Sequence, residues 1–149
     1  MSLKPFVALA AAGLLACFIV HVCSWAGVPN PLAGHAWAML GGLAVVGIKA
    51  LNVAEENQRK HGMPEDVAAA WKLQLGGCPP WMVQLVRGIF FYAFAHFFFC
   101  LWKIRAMPLG ATPMAYKVRV VTGHGMIAYA MALGVLFSAD KQAGTELTK

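Results

Sequence analysis

Four long stretches of the chain are nearly free of charged side chains, and between them prolines, glycines and charged residues come in short bursts. The stretches cover residues 5–28, 34–54, 80–102 and 118–139. Each has about the twenty residues an α-helix needs to cross roughly 30 Å of hydrocarbon. Pro29-Asn30-Pro31 breaks the chain after the first, because proline lacks a backbone donor and restricts the residue before it. Residues 55–62 are polar and are expected to form a hydrophilic loop. Pro64-Glu65-Asp66 then places a proline and two acids where a helix begins, and Gly76-Gly77 stops it. Between them Val67, Ala70, Trp71 and Leu75 recur at helical spacing. Residues 64–76 are therefore expected to lie on the membrane surface as a short amphipathic helix with Trp71 among the head groups, the alternative being a helix packed on the spans. Lys103 to Lys117, with Pro108, Gly110 and Pro113, reads as a loop, and the tail after Asp140-Lys141 as loose. The expected fold class is all-α: one domain over residues 1–149, an integral membrane bundle of four transmembrane helices with an interfacial helix between spans two and three.

Composition strengthens this picture. Of 149 residues 60% are hydrophobic and 12% charged, about half the charged fraction of an ordinary soluble chain. The net charge of +6 would suit a nucleic-acid binder, but the basic residues sit beside the apolar stretches, where they meet lipid head groups. No nucleic acid is expected as a partner; the lipid bilayer, a membrane-protein partner or further copies of the chain are. With the N-terminus in the cytoplasm, that side receives Lys4, Lys49, Arg59, Lys60, Lys72, Lys141 and Lys149, and the other Lys103, Arg105, Lys117 and Arg119. The excess of basic residues places both termini inside.

The first stretch also resembles a secretory signal, and Leu14-Leu15-Ala16-Cys17 a lipoprotein cleavage box, but its apolar length past Cys17 favours a retained span. The four cysteines, Cys17, Cys23, Cys78 and Cys100, form no Cys-x-x-Cys pair and read as buried thiols, with a Cys23–Cys100 disulfide as an alternative. Small residues spaced by four (Ala8, Ala12 and Ala16; Ala38 and Gly42; Ala130, Gly134 and Ser138) are candidate helix contacts.

If the spans alternate in direction, His21, His96 and His124 come to one layer roughly 8 to 10 Å deep, counted at 1.5 Å per residue. Imidazoles in lipid are costly without partners and mark a site. They could ligate a transition metal, or two on opposing helices could hold haem b. Met39, Met126, Cys23 and Cys100 would lie near that layer as soft ligands. The competing reading is structural hydrogen bonding, with His124 a helix start between Gly123 and Gly125. His35 reads as interfacial and His61 as solvated. No acidic residue falls within a span, and no metalloprotease, phosphate-loop or nucleophile-elbow motif occurs.

Thr122-Gly123-His124-Gly125-Met126-Ile127-Ala128-Tyr129, with Leu136-Phe137-Ser138-Ala139 and Gly77-Cys78-Pro79-Pro80-Trp81-Met82, resembles small uncharacterised bacterial four-helix integral membrane proteins. That resemblance implies a bacterial inner membrane and brings no activity. Three functions remain: a non-enzymatic structural, assembly or accessory subunit; a haem- or metal-binding electron-transfer protein using His21, His96 and His124; and a small oligomeric transporter or channel.

Overall fold

The computed structural model describes residues 2–30, 32, 35–108 and 113–146. Pro31, Gly34, Gly110 and Lys149, on which some of the expectations above rest, lie outside the described residues. Within them the chain folds into five helices: α1 (Lys4–Ala26), α2 (Ala36–His61), α3 (Val67–Leu75), α4 (Pro80–Arg105) and α5 (Met114–Glu146). Four of these, all but α3, are long and apolar enough to cross a membrane.

The helix ends follow from local chemistry. Pro5 sits in the first turn of α1, and Gly27 closes the helix at φ 69°, returning its N–H to the Cys23 carbonyl. Asp66 caps α3 by accepting from the Ala69 N–H at 2.7 Å. Residues 55–62, expected to be a loop, are instead the last turns of α2 and its cap. Glu55 pairs with Arg59 at 3.8 Å and Glu56 with Lys60 at 2.7 Å, one turn apart. No glycine or proline interrupts them before Gly62, whose φ of 87° suits glycine. The tail beyond Asp140 is likewise helical as far as Glu146.

The four long helices alternate in direction. At one end the Leu3 N–H donates to Asp140 Oδ1 at 3.2 Å, joining the start of α1 to the C-terminal part of α5. At the other, Arg119 of α5 donates to the Ser24 carbonyl at the end of α1. Lys49 of α2 lies over the Phe6 ring of α1, and Gly42 faces Leu9. The chain enters α4 beside Ser138, where the Gly77 N–H donates to Ser138 Oγ at 2.8 Å.

The hub is α5, which packs against all four other helices and is far more buried than α2. Its row Ala130, Gly134 and Ser138 is buried as expected. Leu75 of α3 packs against Gly134, the Cys78 thiol donates to the Gly134 carbonyl, and Ser138 receives Gly77. In α1 the contact row differs from the expected one. Ala8 and Ala12 are exposed, while Ala10, Gly13 and Cys17 face the bundle, Gly13 under the Tyr129 ring and Cys17 against Gly125. Tyr129 also donates to the Met39 carbonyl of α2. This one ring therefore joins α1, α2 and α5.

The short helix α3 packs on the long helices. Leu75 is 2% exposed, Trp71 meets Phe90 at 6.2 Å with Arg87 over its ring, and Gln74 bonds to Asn57 and to the Ala54 carbonyl of α2.

Candidate functional site

Where the ends of α1 and α4 meet the beginning of α5, the structure gathers buried polar side chains from all three helices. His21, 3% exposed, stands at the centre. Its Nδ1 lies 2.9 Å from Thr122 Oγ1 of α5, and its Nε2 lies 2.8 Å from the Tyr92 hydroxyl of α4 and 3.2 Å from Trp25 Nε1, one turn along α1. The protons can be placed by elimination. An indole N–H only donates, so Nε2 must be the acceptor and His21 is the neutral tautomer protonated at Nδ1. That proton goes to Thr122 Oγ1, whose own hydroxyl donates to the Val118 carbonyl at 2.8 Å. Tyr92 and Trp25 converge on Nε2. Every polar group in the clasp thus has a partner, as a site screened from water requires.

His96 of α4 packs beside the clasp. Its ring meets His21 edge-on at 4.9 Å between centroids, stacks on Tyr92 at 5.7 Å and touches Trp25 at 5.5 Å. Cys100, one turn further on and fully buried, places its sulfur 3.4 Å from His96 Nε2. Gly123 of α5 faces this pair: a Cβ there would stand 3.9 Å from His96 Nδ1, an ordinary van der Waals contact. Arg119 closes the site from above. Its guanidinium lies 4.2 Å over the Trp25 ring and donates through Nη2 and Nε to the Ser24 carbonyl, at 2.7 and 3.3 Å. A cation held at the carbonyl end of α1 also complements that helix's dipole.

Of the three histidines expected to share a site, the structure brings His21 and His96 together and leaves His124 apart. His124 is exposed, its Nδ1 lies 2.8 Å from the Val120 carbonyl of its own helix, and its ring meets Phe97. Among the described residues no group of three or more His, Cys, Asp or Glu side chains is arranged to hold a metal ion. His35 is exposed at the start of α2, and exposed His61 places Nδ1 3.1 Å from the Asn57 carbonyl. Met39 offers its carbonyl to Tyr129, and Met126 borders an apolar groove between α1 and α4. All four cysteines are free thiols, so Cys23 and Cys100 are not bridged.

Sequence reasoning missed Trp25, Tyr92, Thr122 and Arg119 as members of the site. The first two carried a signal. Trp25 follows His21 by four residues and Tyr92 precedes His96 by four, the spacing that places side chains on one helix face. Thr122 and Arg119 had none, because their inward direction depends on the rotation of α5.

Fold and site together define a class: an all-α bundle with four helices long and apolar enough to cross a membrane, tied across three of them by a buried histidine clasp. No protein-family model matches the chain, and comparisons with curated proteins and with solved structures find no match.

Proposed function

We propose that this chain is a four-span protein of the bacterial inner membrane, with both termini in the cytoplasm and α3 near the interface, acting as a structural, assembly or accessory subunit. The observation that carries this reading is the state of His21. Both of its ring nitrogens are committed to side chains of its own and two other helices, so the imidazole fastens the bundle and offers no lone pair to a ligand. A haem or metal at His21 would require Tyr92 and Trp25 to release Nε2 first, and His96 lies against His21 with no gap for a planar group between them. The remaining faces suit association in the membrane. Trp37, Ile48 and Leu51 of α2 are 84%, 63% and 66% exposed, and a Cβ at Gly41 or Gly47 would meet nothing within 4 Å. Open glycines on an exposed apolar helix are points where another helix can approach closely.

Two measurements test this reading. Protein purified in mild detergent from cells supplied with haem precursors and transition metals is expected to be colourless and metal-free. A haem band lost in His96→Ala would replace this reading with electron transfer. In a background lacking the native cysteines, Val28→Cys and Met107→Cys are expected to label from one side of the membrane and His61→Cys from the other. Labelling of Val28→Cys and Met107→Cys from opposite sides would overturn the four-span topology.

A further inference from the structure

Where α3 lies against α4 and α5, the three helices border a groove of about 370 Å³. Val67 and Trp71 of α3 form one wall, Phe91 of α4 with Ile127 and Met131 of α5 the other, and Arg87 of α4 is itself part of the lining. The guanidinium lies over the Trp71 ring, 5.7 Å from its centroid, and Trp71 in turn meets Phe90 edge-on at 6.2 Å. Leu75 and Gln74 fasten α3 to α5 and α2, so the ring beneath the cation is held by the fold. The cation has no anion. Among the described residues no carboxylate stands within 4 Å of Arg87 and no acceptor takes its N–H groups. The two acids that precede the α3 wall do not serve it: Asp66 caps α3 through the Ala69 N–H, and exposed Glu65 makes no ion pair among the described residues.

The chain enters α4 at the end of the bundle where Leu3 meets Asp140, since the Gly77 N–H donates to Ser138 Oγ. Arg87 follows Pro80, the first residue of α4, by about 10 Å of helix. When the long helices cross a membrane, that places Arg87 inside the apolar slab, where a charge is costly without a partner. Side chains lean toward the N-terminus of their helix, so the guanidinium reaches back toward the boundary at which lipid phosphates lie. Above it the walls are apolar. Phe91 lies one turn farther along α4, and on antiparallel α5 Ile127 lies one turn farther from the same boundary than Met131. A cation below and an apolar trough above have the polarity of a lipid, with its head at the boundary and its chain toward the bilayer centre.

We infer that this groove binds a phospholipid of the leaflet in which α3 lies, its phosphate taken by Arg87 and an acyl chain resting against Phe91 and Ile127. A guanidinium is a planar fork that pairs two N–H groups with two phosphate oxygens, and here the fork has no competing acceptor among the described residues. The inference rests on the membrane placement proposed above and not on the structural role given to His21. A diacylglycerol lacks the anion and inorganic phosphate lacks the chain, so neither satisfies both halves of the groove.

The test is thermal unfolding of the full chain in dodecyl maltoside, titrated with dioleoyl phosphatidylglycerol, dioleoylglycerol or inorganic phosphate. Saturable stabilisation is expected from phosphatidylglycerol alone. Arg87→Gln, which breaks no hydrogen bond among the described residues, is expected to weaken its apparent affinity at least about tenfold, the share of one hydrogen bond to a charged group. Ala68→Trp enlarges an exposed residue of the α3 wall with the cation intact and is expected to abolish the effect. Should that variant fail to fold, Arg87→Gln decides. Equal stabilisation by dioleoylglycerol, a full effect from phosphate alone, stabilisation that never saturates, or an undiminished effect in Arg87→Gln or Ala68→Trp each overturns the inference. Recovery of the chain in the soluble fraction without detergent overturns the membrane placement instead, before any lipid is added.

Discussion

Gly13→Leu is expected to be the most damaging single substitution in this protein. The Tyr129 ring lies directly over Gly13, so even a Cβ there would collide with it. The ring cannot move aside at small cost, because Tyr129 is 2% exposed and its hydroxyl is anchored to the Met39 carbonyl. Relief therefore requires α1 to separate from α5. Overpacking of a well-filled core costs about 1–3 kcal/mol and sometimes more. Here the clash falls on a buried ring held by its own hydrogen bond, so about 3 kcal/mol is the expected minimum, equivalent to a fall of about 10 °C in apparent Tm for a chain of this size. Thermal unfolding in detergent reads it directly. Gly41→Ala is the matched control, since a Cβ there meets nothing within 4 Å. It is expected to be neutral or to stabilise by up to about 1 kcal/mol through helix propensity. Equal behaviour of the two variants would show that Tyr129 does not join the helices.

His21→Leu is expected to destabilise by about 2 kcal/mol, because interhelical hydrogen bonds in lipid contribute about 0.6 kcal/mol each on average and up to about 1.7. The substitution leaves the Tyr92 hydroxyl and the Trp25 indole without an acceptor and takes a donor from Thr122, which keeps its bond to the Val118 carbonyl. The apparent Tm is expected to fall by about 5 °C. The second variant makes the test specific. His21→Leu combined with Tyr92→Phe is expected to be more stable than His21→Leu alone, because removing both partners relieves the orphaned hydroxyl. A purely steric role for His21 would give the opposite order, since the double variant would then lose contacts without relief. Unchanged stability in His21→Leu would return the residue to the cofactor reading, in which its nitrogens serve a ligand instead of the bundle.

The long helices, their number and the break after the first were legible because charge is absent over runs longer than a soluble helix needs. Their boundaries were less so. Residues 55–62 looked like a loop for being polar, yet Glu55–Arg59 and Glu56–Lys60 pairs at one-turn spacing are what a solvated helix carries. The common level of the histidines along the bundle was also legible, since counting along alternating helices puts His21, His96 and His124 beside one another in height. His124 faces away from the clasp all the same. It follows Thr122 by two residues, a rotation of about 200° on an α-helix, and Thr122 is the one turned inward.

The sequence by itself determined how many helices are fit to cross a membrane and which residues share a level along them, because length, charge and rise per residue are properties of each segment alone. Only the tertiary structure decided that α5 is the hub, that Gly13 and not Ala12 faces it, and that Tyr92, Trp25 and Thr122 close around His21. In water a helix announces its inner face by being apolar on one side. Among helices surrounded by lipid both faces are apolar and close packing selects the contact, so rotation about each axis is fixed only when the neighbouring surfaces meet.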